Sequence, residues 1–278
     1  ITILKDESFT HKYQGQSWTP KNYENKFLGE IPFFFALKES LNVPTARLGL
    51  AVGLSNIIDT AKRLGLQSKI EPLPSLTLGA FELYPWEVLA SYNSLANLGT
   101  RHNLTYIIRA ENLSKQLLFD HKIETDQAVN AEAAAQLVGI MKQTVLNGTA
   151  RGVTLANFIR PAAGKTGTTN DKKDAWFSGF TPFHTAVVWV GYDDNTSHNL
   201  TGGAAAVPIW TQYMKDFAQI YPDRDFQWPE SVEAATLSPD FLHALGVPDK
   251  SAESLKPIQL IFRKGQSPAG TTVAPVGP

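Results

Sequence analysis

Residues 163–192 read AGKTGTTNDKKDAWFSGFTPFHTAVVWVGY, and here the apolar spacing changes from helical to strand-like. Three successive strands are predicted: Ala163–Thr169, Ala175–Pro182 and His184–Tyr192. The last contains TAVVWVGY, whose β-branched and aromatic residues suit a pleated, half-buried surface. Thr181-Pro182-Phe183-His184 turns the second strand into the third, so those two should be antiparallel neighbours.

Upstream, the pattern is mostly helical. IPFFFALKES, residues 31–40, reads as a short buried helix with Pro32 in its first turn. Val43 precedes Pro44 and is biased away from helical backbone, so this helix should stop near Ser40. A second should restart with Pro44 in its first turn and end near Gly53. A third runs from an Ser55 cap to Gly65, and a fourth from Pro85 to Leu98. Residues 105–120 suggest a hairpin. The longest helix is expected from Asn130 to Leu146, and a closing helix from Val207 to Ile220. Helices followed by consecutive strands imply an α+β fold, an antiparallel sheet flanked by helices. The expected division is an irregular N-terminal segment 1–30, a core 31–220, and a C-terminal extension 221–278, with a mobile tail from 257.

The 278 residues are 43% hydrophobic and 18% charged, with net charge -1 and no cysteine. That is enough chain for a real core without covalent staples. The near-zero charge argues against nucleic acid as a partner, which calls for a basic surface. No cysteine means no disulfide, no thiolate nucleophile and no cysteine-ligated metal. No apolar run approaches a membrane span, and ITILKDESFT does not read as a signal peptide.

Several motif readings fail on spacing. Gly164-Lys165-Thr166 resembles part of a phosphate loop, but the required upstream glycine is Ile159 and no helix is expected to follow. No two histidines have metalloprotease spacing, and no nucleophile elbow is present. Asp193-Asp194-Asn195 lacks the glycine and glutamate of a calcium loop, since His198 occupies the sixth position; a solvated turn is preferred. No metal and no organic cofactor is implied.

Two short stretches remain. If Lys165-Thr166-Gly167-Thr168 lies on an edge strand, Lys165 and Gly167 share one face and Thr166 and Thr168 the other. Gly167 lets a ligand backbone approach, and the lysine and threonines suit an extended peptide bearing a carboxylate. An ordinary strand with solvated side chains fits the same four residues. Ser40-Leu41-Asn42, if extended, points Ser40 and Asn42 one way and Leu41 into the core. A hydroxyl beside a carboxamide can relay a proton and hold an amide, although Ser and Asn also serve as plain helix caps.

Together, SxN at a helix break and KTGT on a later strand resemble the penicillin-recognising serine enzymes, whose third motif, SxxK, carries the nucleophile. SLNVPTARLGLAVG at 40–53, NGTARG at 147–152, GKTGTTNDKKDAWFSGFTP at 164–182 and VVWVGYDDN at 187–195 are similar to the transpeptidase domain of class A, bifunctional penicillin-binding proteins. The resemblance spans roughly residues 15–220. It implies the fold of that family and a peptidoglycan transpeptidase that β-lactams inhibit. On this resemblance Ser40 passes a proton between nucleophile, lysine base and leaving amine. Asn42 holds the donor peptide's amide and helps place that lysine, and Lys165 polarises Ser40. Thr166 and Thr168 take the substrate carboxylate beside Gly167, and the Thr168 N–H forms part of an oxyanion hole. Trp176 and Phe177 fall where the family packs its second sheet strand, so both are expected in the core.

No serine in these 278 residues is followed by lysine at the third position after it. The resemblance therefore places the nucleophile in a segment upstream of residue 1, and makes this chain alone inactive. It implies a parent protein anchored at the periplasmic face of the inner membrane, with a glycosyltransferase domain. Its partners would be stem peptides ending in D-Ala-D-Ala and β-lactams. The missing SxxK also suits a non-catalytic peptidoglycan-binding or β-lactam-sensing module. A carboxypeptidase or β-lactamase-type hydrolase is the third reading.

Overall fold

The computed structural model describes residues 1–248 and 255–274. The chain opens with β1 (Ile3–Asp6), the short hairpin β2 (His11–Tyr13) and β3 (Gln16–Trp18), and β4 (Gly29–Pro32), which pairs antiparallel with β1. Helices α1 (Phe33–Glu39), α2 (Asn42–Val52) and α3 (Leu54–Arg63) follow, then a 3-10 turn at Pro74–Leu78 and α4 (Pro85–Ala96). Strands β5 (Thr100–His102) and β8 (Thr125–Gln127) enclose the predicted hairpin, β6 (Arg109–Glu111) and β7 (Leu117–Asp120). Next come α5 (Ala131–Asn147), α6 (Gly152–Leu155), β9 (Ala163–Thr168), β10 (Asp174–Phe180), β11 (Thr185–Gly191) and α7 (Gly202–Ala218). The last elements are β12 (Val232–Leu237), α8 (Pro239–Ala244), β13 (Ile258–Arg263) and β14 (Thr272–Ala274).

The antiparallel sheet predicted from residues 163–192 is present, in the order β11-β10-β9. Phe177 and Phe180 of β10 are an odd number of residues apart, so they face opposite sides. Phe177 packs with Val207, Trp210 and Met214 of α7, while Phe180 packs with Leu95 of α4 and Val138 and Met141 of α5. The sheet is thus sandwiched between α7 and the α4–α5 pair. Trp176, expected in the core, is only half-buried, its ring 6.1 Å from that of Trp189 on β11.

Helix α5 is capped as predicted: Asn130 Oδ1 accepts from the backbone N–H groups of Glu132 and Ala133. Two helix starts differ. Gly53, not Ser55, stands at the N-cap of α3, because its φ of 95° lets the chain break and restart two residues sooner. Helix α7 begins at Gly202 rather than Val207, since Thr201 caps the Ala204 N–H and Pro208 is accommodated inside the helix.

The expected irregular N-terminal segment instead supplies three strands and the start of a fourth. The expected mobile tail instead carries β13 and β14, which flank β12 in a second antiparallel sheet. Leu237, Ile258, Leu260 and Phe262 of this sheet bury against Phe34 and Phe35 of α1 and Ile140 of α5. Residue 220 is therefore no packing boundary, and α5 lies between two sheets. Residues 249–254 and 275–278 of the expected extension lie outside the described residues.

One buried charge ties the N-terminal segment to the helices. Asp6 is fully buried and accepts from Asn22 Nδ2 (2.7 Å) and the Leu28 N–H (2.9 Å). Asn22 Oδ1 in turn accepts from the Val43 N–H at the start of α2 (3.0 Å). Asp6→Ala removes the acceptor of the buried Asn22 amide and of the Leu28 N–H, and is expected to destabilise the fold by about 1–3 kcal/mol. Urea unfolding measures this, and an unchanged midpoint contradicts it.

Candidate functional site

Three separated segments meet at one end of the central sheet: the break between α1 and α2, the turn after α5, and strand β9. Helix α1 has no side-chain cap at its start and is held by its buried phenylalanines. It ends in a tight turn, with the Leu41 N–H bonded to the Ala36 carbonyl (2.9 Å) and Ser40 in left-handed backbone, φ 57° and ψ 43°. A side chain there costs roughly 1 kcal/mol relative to glycine. The turn after α5 comes up against this end: a Cβ added to Gly148 would lie 2.7 Å from the Lys38 carbonyl, and the Thr149 N–H donates to that carbonyl (3.4 Å). Lys38 itself is buried, its ammonium 2.7 Å from Glu39 Oε1.

Among the described residues β9 pairs only with β10, which leaves its other side a free edge. Lys165 and Ser40, 125 residues apart, meet across the site: Lys165 Nζ donates to Ser40 Oγ at 2.7 Å and to the Thr166 carbonyl at 3.0 Å. Burial pushes the Lys165 pKa down to about 8. Among the described residues no carboxylate pairs with this ammonium. A desolvated cation without a counter-ion beside an open strand edge is a place where an anionic group gains from binding.

The threonines on the opposite face of β9 are also held. Thr166 Oγ1 is hydrogen-bonded to Thr149 Oγ1 (2.7 Å). The exposed Thr168 accepts the Gly202 N–H on its hydroxyl oxygen (2.9 Å), which leaves the hydroxyl proton free for an incoming acceptor. The start of α7 lies so close to β9 that a Cβ on Gly202 would clash with the Trp176 carbonyl and sit 2.5 Å from that of Gly167. Gly167 has Trp176 packed behind it, 3.2 Å from the position of an added Cβ.

The edge-strand reading of Lys165, Thr166, Gly167 and Thr168 therefore matches the topology, and Ser40 is brought to Lys165. Asn42 is placed differently. Ser40-Leu41-Asn42 is not an extended tripeptide: Ser40 is left-handed, Leu41 is extended, and Asn42 is the first residue of α2. The rule that alternate residues share a face does not apply, and the Asn42 amide donates to the Lys21 carbonyl (2.9 Å) rather than to Ser40 or Lys165. Thr149 and Gly202 were given no role from sequence. The signals are the NGT turn that ends α5 and the Gly-Gly pair that opens α7.

Strand β9 runs through a turn closed by Thr169, whose hydroxyl accepts from the Lys173 and Asp174 N–H groups, into β10 and not into a helix. Asp193 to Asn195 form the turn after β11. Among the described residues no group of three or more His, Asp or Glu could hold a metal ion, and no helix is long and apolar enough to cross a membrane.

Residues 2–215 match the family model of the penicillin binding protein transpeptidase domain. Penicillin-binding protein 1B of Vibrio cholerae is 37% identical over 233 residues, covering 83% of this chain and 30% of that protein. Penicillin-binding protein 1A of Aquifex aeolicus is 34% identical, covering 92% and 34% respectively. The chain thus spans about a third of the length of these curated relatives. The crystal structure of penicillin-binding protein 1A from Haemophilus influenzae superposes with a TM-score of 0.80 at 21% identity, over 96% of this chain and 45% of that one. PonA1 of Mycobacterium tuberculosis, solved with penicillin V, superposes with a TM-score of 0.71 at 25% identity, over 82% of this chain and 65% of that one.

Proposed function

Because the chain belongs to the penicillin-binding protein transpeptidase domain family, we propose that it forms the groove of a peptidoglycan transpeptidase that cross-links stem peptides by serine acyl transfer and is inhibited by β-lactams. The observation that carries this reading is the 2.7 Å contact between Lys165 Nζ and Ser40 Oγ beside the free edge of β9. The relatives' names point the same way, as does the penicillin V bound to PonA1.

In this reading the donor peptide adds to β9 as an extended strand. Its terminal carboxylate meets the hydroxyls of Thr166 and Thr168, and the Lys165 cation favours the anion electrostatically. The nucleophilic serine and its lysine base lie on an SxxK motif outside these 278 residues. The serine oxygen attacks the carbonyl of the penultimate D-Ala and its proton passes to the lysine. The Thr168 N–H stabilises the resulting oxyanion. The C–N bond breaks, and the departing D-Ala amine takes a proton through Ser40 Oγ. An acceptor amine then attacks the ester, forming the cross-link and freeing the serine. The parent protein works outside the cytoplasm and carries a glycosyltransferase domain.

Fluorescent penicillin tests the reading. The intact protein is expected to take a covalent label under native conditions, and the 278-residue chain alone to take none. An unlabelled, folded intact protein supports instead the non-catalytic module, which the missing SxxK favours. Rapid loss of label would identify a hydrolase. Asn42→Ala in the intact protein is expected to lower transpeptidation by about tenfold or more, since an amide contact to the donor peptide is lost. Unchanged turnover removes Asn42 from the groove.

A further inference from the structure

We infer that Thr149 is a positioning residue of this groove, setting the Thr166 hydroxyl for a ligand carboxylate and locking β9 to the segment that carries Ser40. The inference rests on the acyl-transfer reading above.

Thr149 stands where three elements meet. Its hydroxyl is 2.7 Å from that of Thr166 on β9. Its N–H donates to the Lys38 carbonyl, two residues before Ser40. Its own carbonyl lies 3.1 Å from the place a Cβ on Gly203 would take, at the start of α7. No other residue of the α5–α6 turn has a side chain bonded to β9. Within β9, Thr166 adjoins Lys165, whose ammonium also donates to the Thr166 carbonyl. The Thr149 contact therefore acts on the same residue that helps hold the cation.

Thr166 donates its hydroxyl proton to Thr149. A carboxylate only accepts, so on binding it takes that proton. Thr149 can then turn its own proton to the Thr166 oxygen, and the two hydroxyls form a chain directed at the anion. Such chains polarise one another, and each bond strengthens the next. Two O–H rotations suffice; no covalent bond changes.

The test uses the intact protein with two variants and two probes. Thr149→Val keeps the shape and removes the hydroxyl, and Thr149→Ser keeps the hydroxyl. Labelling by a penicillin with a free carboxylate is expected to slow about five- to tenfold in Thr149→Val, the loss of one hydrogen bond in a charged network. In Thr149→Ser it should stay within about twofold of wild type. Labelling by the penicillin methyl ester, which lacks the anion, should be slow in wild type and unchanged by either variant. If Thr149→Val labels like wild type, or slows both probes equally, or if Thr149→Ser fails to restore the rate, the inference is overturned while the acyl-transfer reading stands. If folded wild-type protein takes no label, both are overturned.

Discussion

Lys165→Ala in the intact protein is expected to slow acylation by penicillin about a hundred- to a thousandfold while leaving the fold in place. Its ammonium is held by Ser40 Oγ and the Thr166 carbonyl, and by no carboxylate among the described residues, so its loss strands no buried counter-charge. What is lost is the positive charge facing the ligand anion and the polarisation of the Ser40 hydroxyl. Effects of that size follow removal of one preorganised electrostatic group from an acyl-transfer site. Near-normal labelling of the variant refutes the assigned role. The same lysine predicts a pH signature. With its pKa near 8, the group is mostly charged at neutral pH and loses its proton well below the ordinary lysine value. The second-order acylation rate reports the free protein, so it should fall as pH rises through about 8. A bound carboxylate favours the charged form, so the limiting rate should fall only at higher pH. Stability runs the other way. Between about 8 and 10.5 the unfolded chain binds more protons than the folded one, so this residue's contribution to stability rises with pH across that window. An acylation rate that stays flat or rises above pH 8 shows that the cation is not required.

Gly202→Ala is expected to destabilise the fold by about 1–3 kcal/mol, the usual range for overpacking, and to impair labelling without touching a reacting atom. Helix propensity alone predicts the opposite sign, since alanine is favoured over glycine by up to about 1 kcal/mol inside a helix. Contact geometry decides between them. The new methyl meets the carbonyls of Trp176 and Gly167, and a backbone oxygen in a sheet cannot swing aside as a side chain can. Helix α7 must lift from β9, which removes the Gly202 N–H from the Thr168 hydroxyl. Urea unfolding and penicillin labelling of the same variant measure the two effects. An alanine variant at least as stable as wild type shows that the helix can shift at no cost.

The parts of the fold legible in sequence were those written in short spans. β9, β10 and β11 each carry their own alternation and are separated by turn residues, so their bounds fall within two residues of those predicted. The cap of α5 follows from Asn130; α1 does stop near Ser40 as expected, but not because of Pro44, since Val43 is helical within α2 and the break is made by left-handed Ser40 and extended Leu41. The second sheet was illegible for the opposite reason. β12 pairs with β13 and β14, which lie some twenty to forty residues further along the chain, and no turn signal joins them. The site divides the same way. Lys165, Thr166 and Thr168 could be placed on an edge strand from four residues, whereas nothing local brings Ser40 to Lys165; that pairing came from resemblance. The face shared by Ser40 and Asn42 was misjudged because a left-handed residue turns the chain between them. Thr149 is not legible in sequence because its importance lies in the residues it meets, Thr166 and Lys38, which is a property of the packed molecule.

The 125-residue separation of Ser40 and Lys165 has a kinetic consequence. Contacts so distant in sequence form only after a large loss of chain entropy, and nothing short-range secures them earlier. A half-folded chain can own α1, α5 and even the β10–β11 hairpin and still have no groove. Penicillin labelling of the intact protein therefore counts only chains in which the Ser40 and Lys165 segments have come together. Followed during refolding, it clocks closure of the molecule, while circular dichroism registers the helices that precede it.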